Sequence, residues 1–389
     1  MQNGKPYILF CAGEDSGDCI GEALVTHALI AGGGLQKTYG ILGAGGPRMQ
    51  KAGLEPLVAF DTLPVSGFGY GLPSYFKLRR AYKVLEKALV VKECVGLVAV
   101  DYPGFNMKLV ALAKKLGKPV LYVAPPQIWA WKPQRSKLFA GCANIRLATF
   151  FDFEVDAYEQ ANCNVLKMTH PFASVVATCT PRARKKQIML LPGSRKSQAL
   201  RNMPVFLKSV QRVLQDSRYA DFDVIVVAAR KSLVAALENA ISKERNKGRF
   251  SREFCNRISV QVSPATPKER CEMYGTAAVS LSSPGTATLE LALSNCPTVV
   301  CTRPDFLTFV LAKRKVKTRY FALPNLILKR QLFTEYISRK FDLAKVENIA
   351  NQIKESAAQP RSFSGELQEA LISDYDSEKL MSEFLVQLV

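Results

Sequence analysis

Ser282-Ser283-Pro284-Gly285-Thr286-Ala287-Thr288-Leu289-Glu290 joins the apolar run from Ala277 to Leu281 to a stretch with helical spacing. The run has the length of a strand, and Pro284-Gly285 closes it. A strand that enters a helix through a glycine turn is the building unit of a doubly wound sheet. Ligands of such sheets bind at the carboxyl ends of the strands, where this loop falls. The free N–H groups and the dipole of the helix start favour a diphosphate. Glu290 lies four residues beyond Thr286, one turn deeper on the same face. A carboxylate there can accept from both hydroxyls of a ribose. The same residues also fit a capped helix with one exposed Glu.

The alternation continues in both directions. Downstream, Thr298 to Cys301 reads as a strand; upstream, Gln187 to Leu191 and Asp223 to Ala228 do so. In the first half, Tyr7 to Ala12, Thr38 to Leu42, Val95 to Val100 and Pro119 to Ala124 are strand-like, and Cys19 to Ile30 is helical. Short apolar strands separated by helices mean a parallel sheet covered on both faces. Thr178 to Lys186, rich in charge and containing Pro181, resembles a linker. At 389 residues the chain exceeds what one core usually serves. The expected architecture is α/β, with two Rossmann-like domains and an interdomain cleft. Residues 1–177 form the first domain and 178–343 the second. A helical segment, 344–389, returns to the first domain or is swapped to a partner subunit.

Composition narrows the chemistry. Lys and Arg number 53 against 33 acids, a formal charge of +20, which points to anionic partners. The aromatic residues form no stacking motif for nucleic acid, so none is expected as a partner. Ten Cys without a CxxC, and only His27 and His170, give no zinc pattern. Scattered Cys in a chain of this length fit a reducing cytosol. No apolar run approaches the roughly 18 residues of a spanning helix.

Four further stretches carry candidate chemistry. Gly13-Glu14-Asp15-Ser16-Gly17-Asp18 follows the first strand. Its three carboxylates do not suit a phosphate cradle and suit a hydroxyl-bearing acceptor better; capping by Ser16 or Asp18 is the plain alternative. Asp101 ends the strand from Val95 to Val100, placed for a general base or for an Asx-turn before Pro103-Gly104. In Pro192-Gly193-Ser194-Arg195 the glycine lets backbone N–H groups approach an anion, and Arg195 adds a planar double donor; an ordinary turn with a surface Arg is equally simple. Trp129 and Trp131 follow the fourth strand and line a sugar or acyl site, or fill core. His27 shares a helix face with Ile20 and Leu24 and reads as packed. His170, before Pro171, is a cleft or loop residue.

Taken together, these stretches resemble the lipid-A-disaccharide synthase family over nearly the whole chain. The matching motifs are Ala12-Gly13-Glu14 with Ser16-Gly17-Asp18, Gly46-Pro47-Arg48-Met49, Asp101 with Phe105-Asn106, and Trp129-Ala130-Trp131. In the second half they are Leu191-Pro192-Gly193-Ser194-Arg195, Gly285-Thr286-Ala287 with Leu289-Glu290, Leu311-Ala312-Lys313 and Leu323-Pro324-Asn325-Leu326. The resemblance implies a GT-B glycosyltransferase of inverting type that needs no metal or other cofactor. Its donor would be UDP-2,3-diacylglucosamine and its acceptor 2,3-diacylglucosamine 1-phosphate (lipid X). The product would be a β-1,6-linked disaccharide 1-phosphate, with UDP leaving.

By the family's pattern Asp101 is the favoured base, with Glu14 close by, and Arg195 supports the diphosphate. Gly193, Ser194, Arg195, Gly285, Thr286, Ala287 and Glu290 bind UDP; Ser16, Asp18, Trp129 and Asn325 face the acceptor or the cleft. The chain departs from the pattern at Gly104, Thr169, Ser174, Gln198, Lys329 and Ser338. Family members can exchange C-terminal segments, which makes a homodimer one expectation. A UDP-N-acetylglucosamine 2-epimerase would share the UDP site without needing a lipid surface. A nicotinamide dehydrogenase is disfavoured because Arg48 takes the final glycine position after Gly43-Ala44-Gly45-Gly46.

Acylated substrates require access to a bilayer, so a cytoplasmic protein peripheral to the inner face of the membrane is expected. Two aromatic and basic segments suit an anionic phospholipid surface. Pro64 to Lys83 carries Phe68, Tyr70, Tyr75 and Phe76 among Lys77, Arg79, Arg80 and Lys83. Arg303 to Tyr320 carries Phe306, Leu307 and Phe309 before Lys313, Arg314, Lys315 and Lys317.

Overall fold

The structure is a computed structural model that describes residues 4–34, 39–63, 72–130, 132–176, 179, 183–305, 309, 319–358, 362 and 364–388. Trp131, much of the linker, all of 64–71 and, apart from Phe309, 306–318 lie outside the described residues, and with them Phe68, Tyr70 and the motif Leu311-Ala312-Lys313. The chain divides into two compact units, Met1–Pro171 with Leu371–Val389, and Phe172–Ala370.

The first unit is built on a parallel sheet. Its strands are β1 (Tyr7–Ala12), β2 (Gly40–Ala44), β3 (Glu55–Pro56), β4 (Cys94–Val100), β5 (Val120–Val123), β6 (Ile145–Thr149) and β7 (Val165–Lys167). Among the described residues their order is β3-β2-β1-β4-β5-β6-β7. The chain works outward from β1 to β3, then crosses back to lay β4 against the other side of β1. That pairing sets Leu9 beside both Leu42 and Leu97. The central strands are apolar throughout because helices cover both faces: Ile8, Leu9, Phe10, Cys11 and Ala12 are fully buried.

The second unit repeats the plan with β8 (Lys185–Leu191), β9 (Asp223–Ala228), β10 (Ile258–Val262), β11 (Ala277–Ser282), β12 (Thr298–Thr302) and β13 (Glu335–Ile337), in the order β10-β9-β8-β11-β12-β13. The helix Lys196–Leu214 buries a stripe of Ala199, Met203, Phe206, Val210 and Val213, one residue every three or four. The helix Leu343–Ala358 packs beside it and against β11 and β12 with Val346, Ile349, Ala350 and Ile353.

The C-terminal segment is therefore shared between the units. The helix Leu343–Ala358 belongs to the second sheet, while Ser377–Val386 lies on the helix Asp15–Gly34 of the first. Phe384 is fully buried there. A Cβ on Gly96 of β4 would come within 3.1 Å of the Phe384 ring, so the glycine makes room for it. Arg146 pairs with Glu383 at 2.7 Å. Thr169 uses its hydroxyl to bond both the carbonyl and the N–H of Ser373, each at 2.9 Å.

The expected strands all appear within two residues of their anticipated limits, and Tyr7–Ala12 and Asp223–Ala228 match them at both ends. The residues Lys185 and Lys186, read as linker, open β8. Strands β3, β6, β7, β10 and β13 were not expected. They are short or mixed in polarity, as in β10, whose residues are half-buried or exposed. Among the described residues no helix is long and apolar enough to cross a membrane.

Candidate active site

In each sheet the strand order reverses between two central strands, β1 and β4 in the first unit, β8 and β11 in the second. Such a switch point opens a crevice at the carboxyl ends of the strands. The loops singled out in the sequence occupy both.

In the first unit β4 runs into Asp101 and Tyr102, two successive non-glycine residues in the left-handed region, with φ of 48° and 51°. This conformation costs about 1–2 kcal/mol per residue, so the surroundings must hold it. The Asp101 carbonyl accepts from Asn106 Nδ2 at 2.8 Å and from the buried Tyr122 hydroxyl at 3.0 Å. Its N–H donates to Val123 O at 2.9 Å. Asn106, fully buried, also donates to Cys11 O and Val100 O, tying β1 to β4. The Tyr102 ring stacks on Phe105 at 5.5 Å and covers Gly13 so closely that a Cβ there would fall 2.2 Å from it. With its backbone anchored inward, Asp101 meets Ser16 Oγ through its carboxylate at 3.2 Å, at the exposed edge of the switch point. Glu14, half-buried, occupies the same β1 loop.

Two residues expected to face the acceptor or the cleft have their side chains engaged within the fold. Asp18 is buried, and its two carboxylate oxygens accept from Arg48 N and Met49 N, each at 3.1 Å. It caps the helix Pro47–Lys51 from outside, and Gly46 leaves room for it, since a Cβ there would lie 2.4 Å from Asp18 Oδ2. The motif Gly46-Pro47-Arg48-Met49 is thus the partner of Asp18. Asn325, in the second unit, is also fully buried. It donates to Phe333 O and Glu335 Oε1 and accepts from Leu332 N and Phe333 N, all at 2.7–2.8 Å. Its side chain braces the turn that carries Lys329, itself in the left-handed region at φ 53°.

Trp129, in the loop after β5, donates from Nε1 to Glu154 Oε1 at 3.2 Å and meets Phe153 edge to face at 4.9 Å. Glu154 was missed in the sequence, where it reads as an ordinary acid in the first turn of the helix Asp152–Glu159. It is buried, and that burial pushes its carboxyl up to about 7, opposed by the bonds from Trp129 and the Phe150 backbone and reinforced by the charge of Asp101. His170 lies against Phe150 and Phe151, at ring distances of 4.9 and 6.3 Å. Burial lowers it to about 4, so it is neutral at pH 7.

In the second unit Leu191 and Ser282 are partners at the ends of β8 and β11. Pro192-Gly193-Ser194-Arg195 leads into the helix Lys196–Leu214, and Ser283-Pro284-Gly285 into Thr286–Leu293. The two helix starts are thus brought together, and Ser283 N donates to Leu191 O at 2.9 Å. Gly193 (φ 126°) and Gly285 (φ 152°) adopt backbone that other residues rarely take. Behind Gly193 lies Gln198, 2.8 Å from where a Cβ would be. Asn202, fully buried, donates to Pro192 O at 2.8 Å and accepts from Arg303 N at 2.7 Å, bracing the loop from below. Ser194, Arg195, Gly285 and Thr286 are exposed and Ala287 half-buried. Two adjacent helix N-termini beside a guanidinium form a strong attractor for a diphosphate. Glu290, one turn further, is held by Arg270 through two bonds, Nε–Oε2 at 2.8 Å and Nη2–Oε1 at 3.1 Å.

Known proteins resemble this chain in sequence and in fold. The family model described as lipid-A-disaccharide synthetase matches residues 8–379. The lipid-A-disaccharide synthase of Trichlorobacter lovleyi is 33% identical over 370 residues, covering 91% of this chain and 88% of that one. That of Geobacter sulfurreducens is 30% identical over 369 residues, with 90% and 88% covered. Among solved structures, the Methanocaldococcus jannaschii UDP-GlcNAc 2-epimerase in complex with UDP-GlcNAc and UDP aligns with a TM-score of 0.61 at 9% identity, over 98% of this chain and 99% of that one. A glycosyltransferase from Rickettsia africae aligns with a TM-score of 0.55 at 10% identity, over 99% and 98%. At such identities the structural likeness speaks for the fold alone, which is GT-B. The sequence likeness, continuous across both units, goes further: the chain belongs to the lipid-A-disaccharide synthetase family of glycosyltransferases.

Proposed function

We propose that the protein transfers 2,3-diacylglucosamine from UDP-2,3-diacylglucosamine to the 6-hydroxyl of 2,3-diacylglucosamine 1-phosphate (lipid X), with inversion. The products are the β-1,6-linked disaccharide 1-phosphate and UDP. The observation that carries this reading is the Asp101 carboxylate, held at the first unit's switch point on a strained turn that Asn106 and Tyr122 secure. An inverting displacement needs a base on the acceptor hydroxyl and a receiver for the departing diphosphate. Asp101 takes the hydroxyl proton as the new C–O bond forms. Ser16 orients its carboxylate, and Glu14 is the second acid of the acceptor loops, with Trp129 on the same side. In the second unit the N–H groups of Gly193–Arg195 and Gly285–Ala287 receive the diphosphate. Arg195 offsets the charge that grows on it, and Glu290 accepts from the ribose.

Acylated substrates place the work at an anionic phospholipid surface, on the inner face of the cytoplasmic membrane. Support comes from the helix Leu72–Val90, on which Phe76 is 59% exposed beside exposed Lys77, Arg79, Arg80 and Lys83. Mass spectrometry of products from both lipid substrates tests the reaction. A disaccharide 1-phosphate formed together with UDP is expected. Recovery of unreacted lipid X, with a 2-epimer formed from UDP-N-acetylglucosamine, would overturn it.

A further inference from the structure

Arg270 is absent from every motif above, yet it holds the Glu290 carboxylate through two bonds. It projects from the helix Pro267–Gly275, whose start is fixed by a reciprocal cap between Thr266 and Glu269. Its guanidinium is nearly enclosed, as is the Glu290 carboxylate, with side-chain exposures of 13% and 17%. One edge of the guanidinium holds Glu290 by the two bonds already described. The other, Nη1, donates to Ala265 O at 3.0 Å and reaches Pro264 O at 3.4 Å. Those carbonyls belong to the loop that leaves β10 at its carboxyl end. The Phe172 ring faces the guanidinium carbon at 6.0 Å.

A planar fork gripped on both edges cannot turn, and neither can a carboxylate bound to it by two parallel bonds. A carboxylate has about four acceptor positions. Arg270 takes two of them on one side, which fixes the direction of the rest. A free Glu on a short helix would sample several rotamers and would have to be ordered each time a ligand bound.

We infer that Arg270 is a positioning residue for the nucleotide: it locks the Glu290 carboxylate in the orientation that accepts from the ribose hydroxyls, and ties that orientation to the loop at Pro264-Ala265. This rests on the reading of Glu290 as the ribose contact. Lysine would keep the charge but lose the fork.

The test is a ratio. UDP and 2′-deoxy-UDP are titrated calorimetrically into the full-length wild type, Glu290→Gln, Arg270→Gln and Arg270→Lys, with folding monitored by circular dichroism. Wild type should prefer UDP by about tenfold or more, the scale of a hydrogen bond to a charged group. Arg270→Gln should bring that preference close to one, and Arg270→Lys should leave it intermediate. General loosening of the unit weakens both nucleotides alike and does not move the ratio. A wild-type ratio in Arg270→Gln, alongside a collapsed ratio in Glu290→Gln, overturns the positioning role alone. A wild-type ratio in Glu290→Gln overturns the ribose contact itself and the inference with it. Should Arg270→Gln fail to fold, Arg270→Lys decides, and an unchanged ratio there overturns the inference.

Discussion

The Ser16 hydroxyl donates to the Asp101 carboxylate at 3.2 Å, joining the loop after β1 to the loop after β4 across the first unit's switch point. The two residues are 85 positions apart in the chain. Asp101 also carries one of two consecutive left-handed residues, strain of a kind that tends to persist at functional sites.

Replacing Asp101 by Asn keeps the shape and removes the carboxylate proposed as the base. Turnover should fall by about 10²–10⁴-fold, while UDP affinity stays within about twofold because the loops proposed to hold UDP belong to the other unit. Ser16→Ala should lower turnover much less, leaving the carboxylate in place with one orienting bond lost. Steady-state kinetics with UDP calorimetry checks both. Near-normal turnover in Asp101→Asn would transfer the base role to Glu14.

Glu154 and His170 give the first unit opposed pH dependences. The folded pKa of Glu154 is about 7 against an ordinary 4.5, so the folded state binds more protons between those values. Its contribution to stability is complete below pH 4.5 and is lost as pH rises to 7. The folded pKa of His170 is about 4 against 6.5, so its contribution is complete above 6.5 and is lost as pH falls to 4. Each amounts to roughly 3 kcal/mol at about 1.4 kcal/mol per unit, and between 4.5 and 6.5 they cancel. Glu154→Gln should therefore gain stability relative to wild type as pH rises from 4.5 to 7, and His170→Asn should gain as it falls from 6.5 to 4. Urea midpoints followed by tryptophan fluorescence measure this. Parallel pH profiles for both variants and wild type would contradict it.

Asp18 and Asn325 are structural in the fold, and their loss should show in stability before chemistry. Asp18→Ala uncaps two backbone N–H groups of the helix Pro47–Lys51 and should cost about 1–2 kcal/mol. Asn325→Ala strands buried partners at about 1–3 kcal/mol each, so it should cost more. Thermal unfolding together with turnover per folded molecule separates the roles. Unchanged stability with lost turnover in Asp18→Ala would return that residue to the substrate.

Surface binding should depend on charge and on Phe76. The wild type should float with anionic vesicles at low salt and be released at high salt, since each cation near such a leaflet contributes about 1 kcal/mol before screening. Phe76→Ser should reduce the bound fraction. Wild type remaining in the soluble fraction at low salt would count decisively against a membrane role.

The sequence by itself determined the two doubly wound sheets and which loops leave their central strands. Strands buried on both faces, such as Tyr7–Ala12 and Asp223–Ala228, must be apolar at every position, and that leaves a local signature. Glycines in the left-handed region, Gly193 and Gly285, mark their turns in the same local way. Peripheral strands such as Ile258–Val262 are half-solvated, carry no such run, and were invisible. The tertiary structure alone decided what each polar side chain does with its hydrogen bonds. Asp18 looks like a loop carboxylate until the helix 30 residues on arrives beneath it, and Asn325 looks like a cleft amide until Phe333 and Glu335 close around it. Glu154 is an ordinary first-turn acid until the Trp129 loop and the sheet shut out water. Periodicity records whether a position is buried, because burial acts on each residue through its own element. It does not record which distant donor will face a carboxylate, because that partner is supplied by packing.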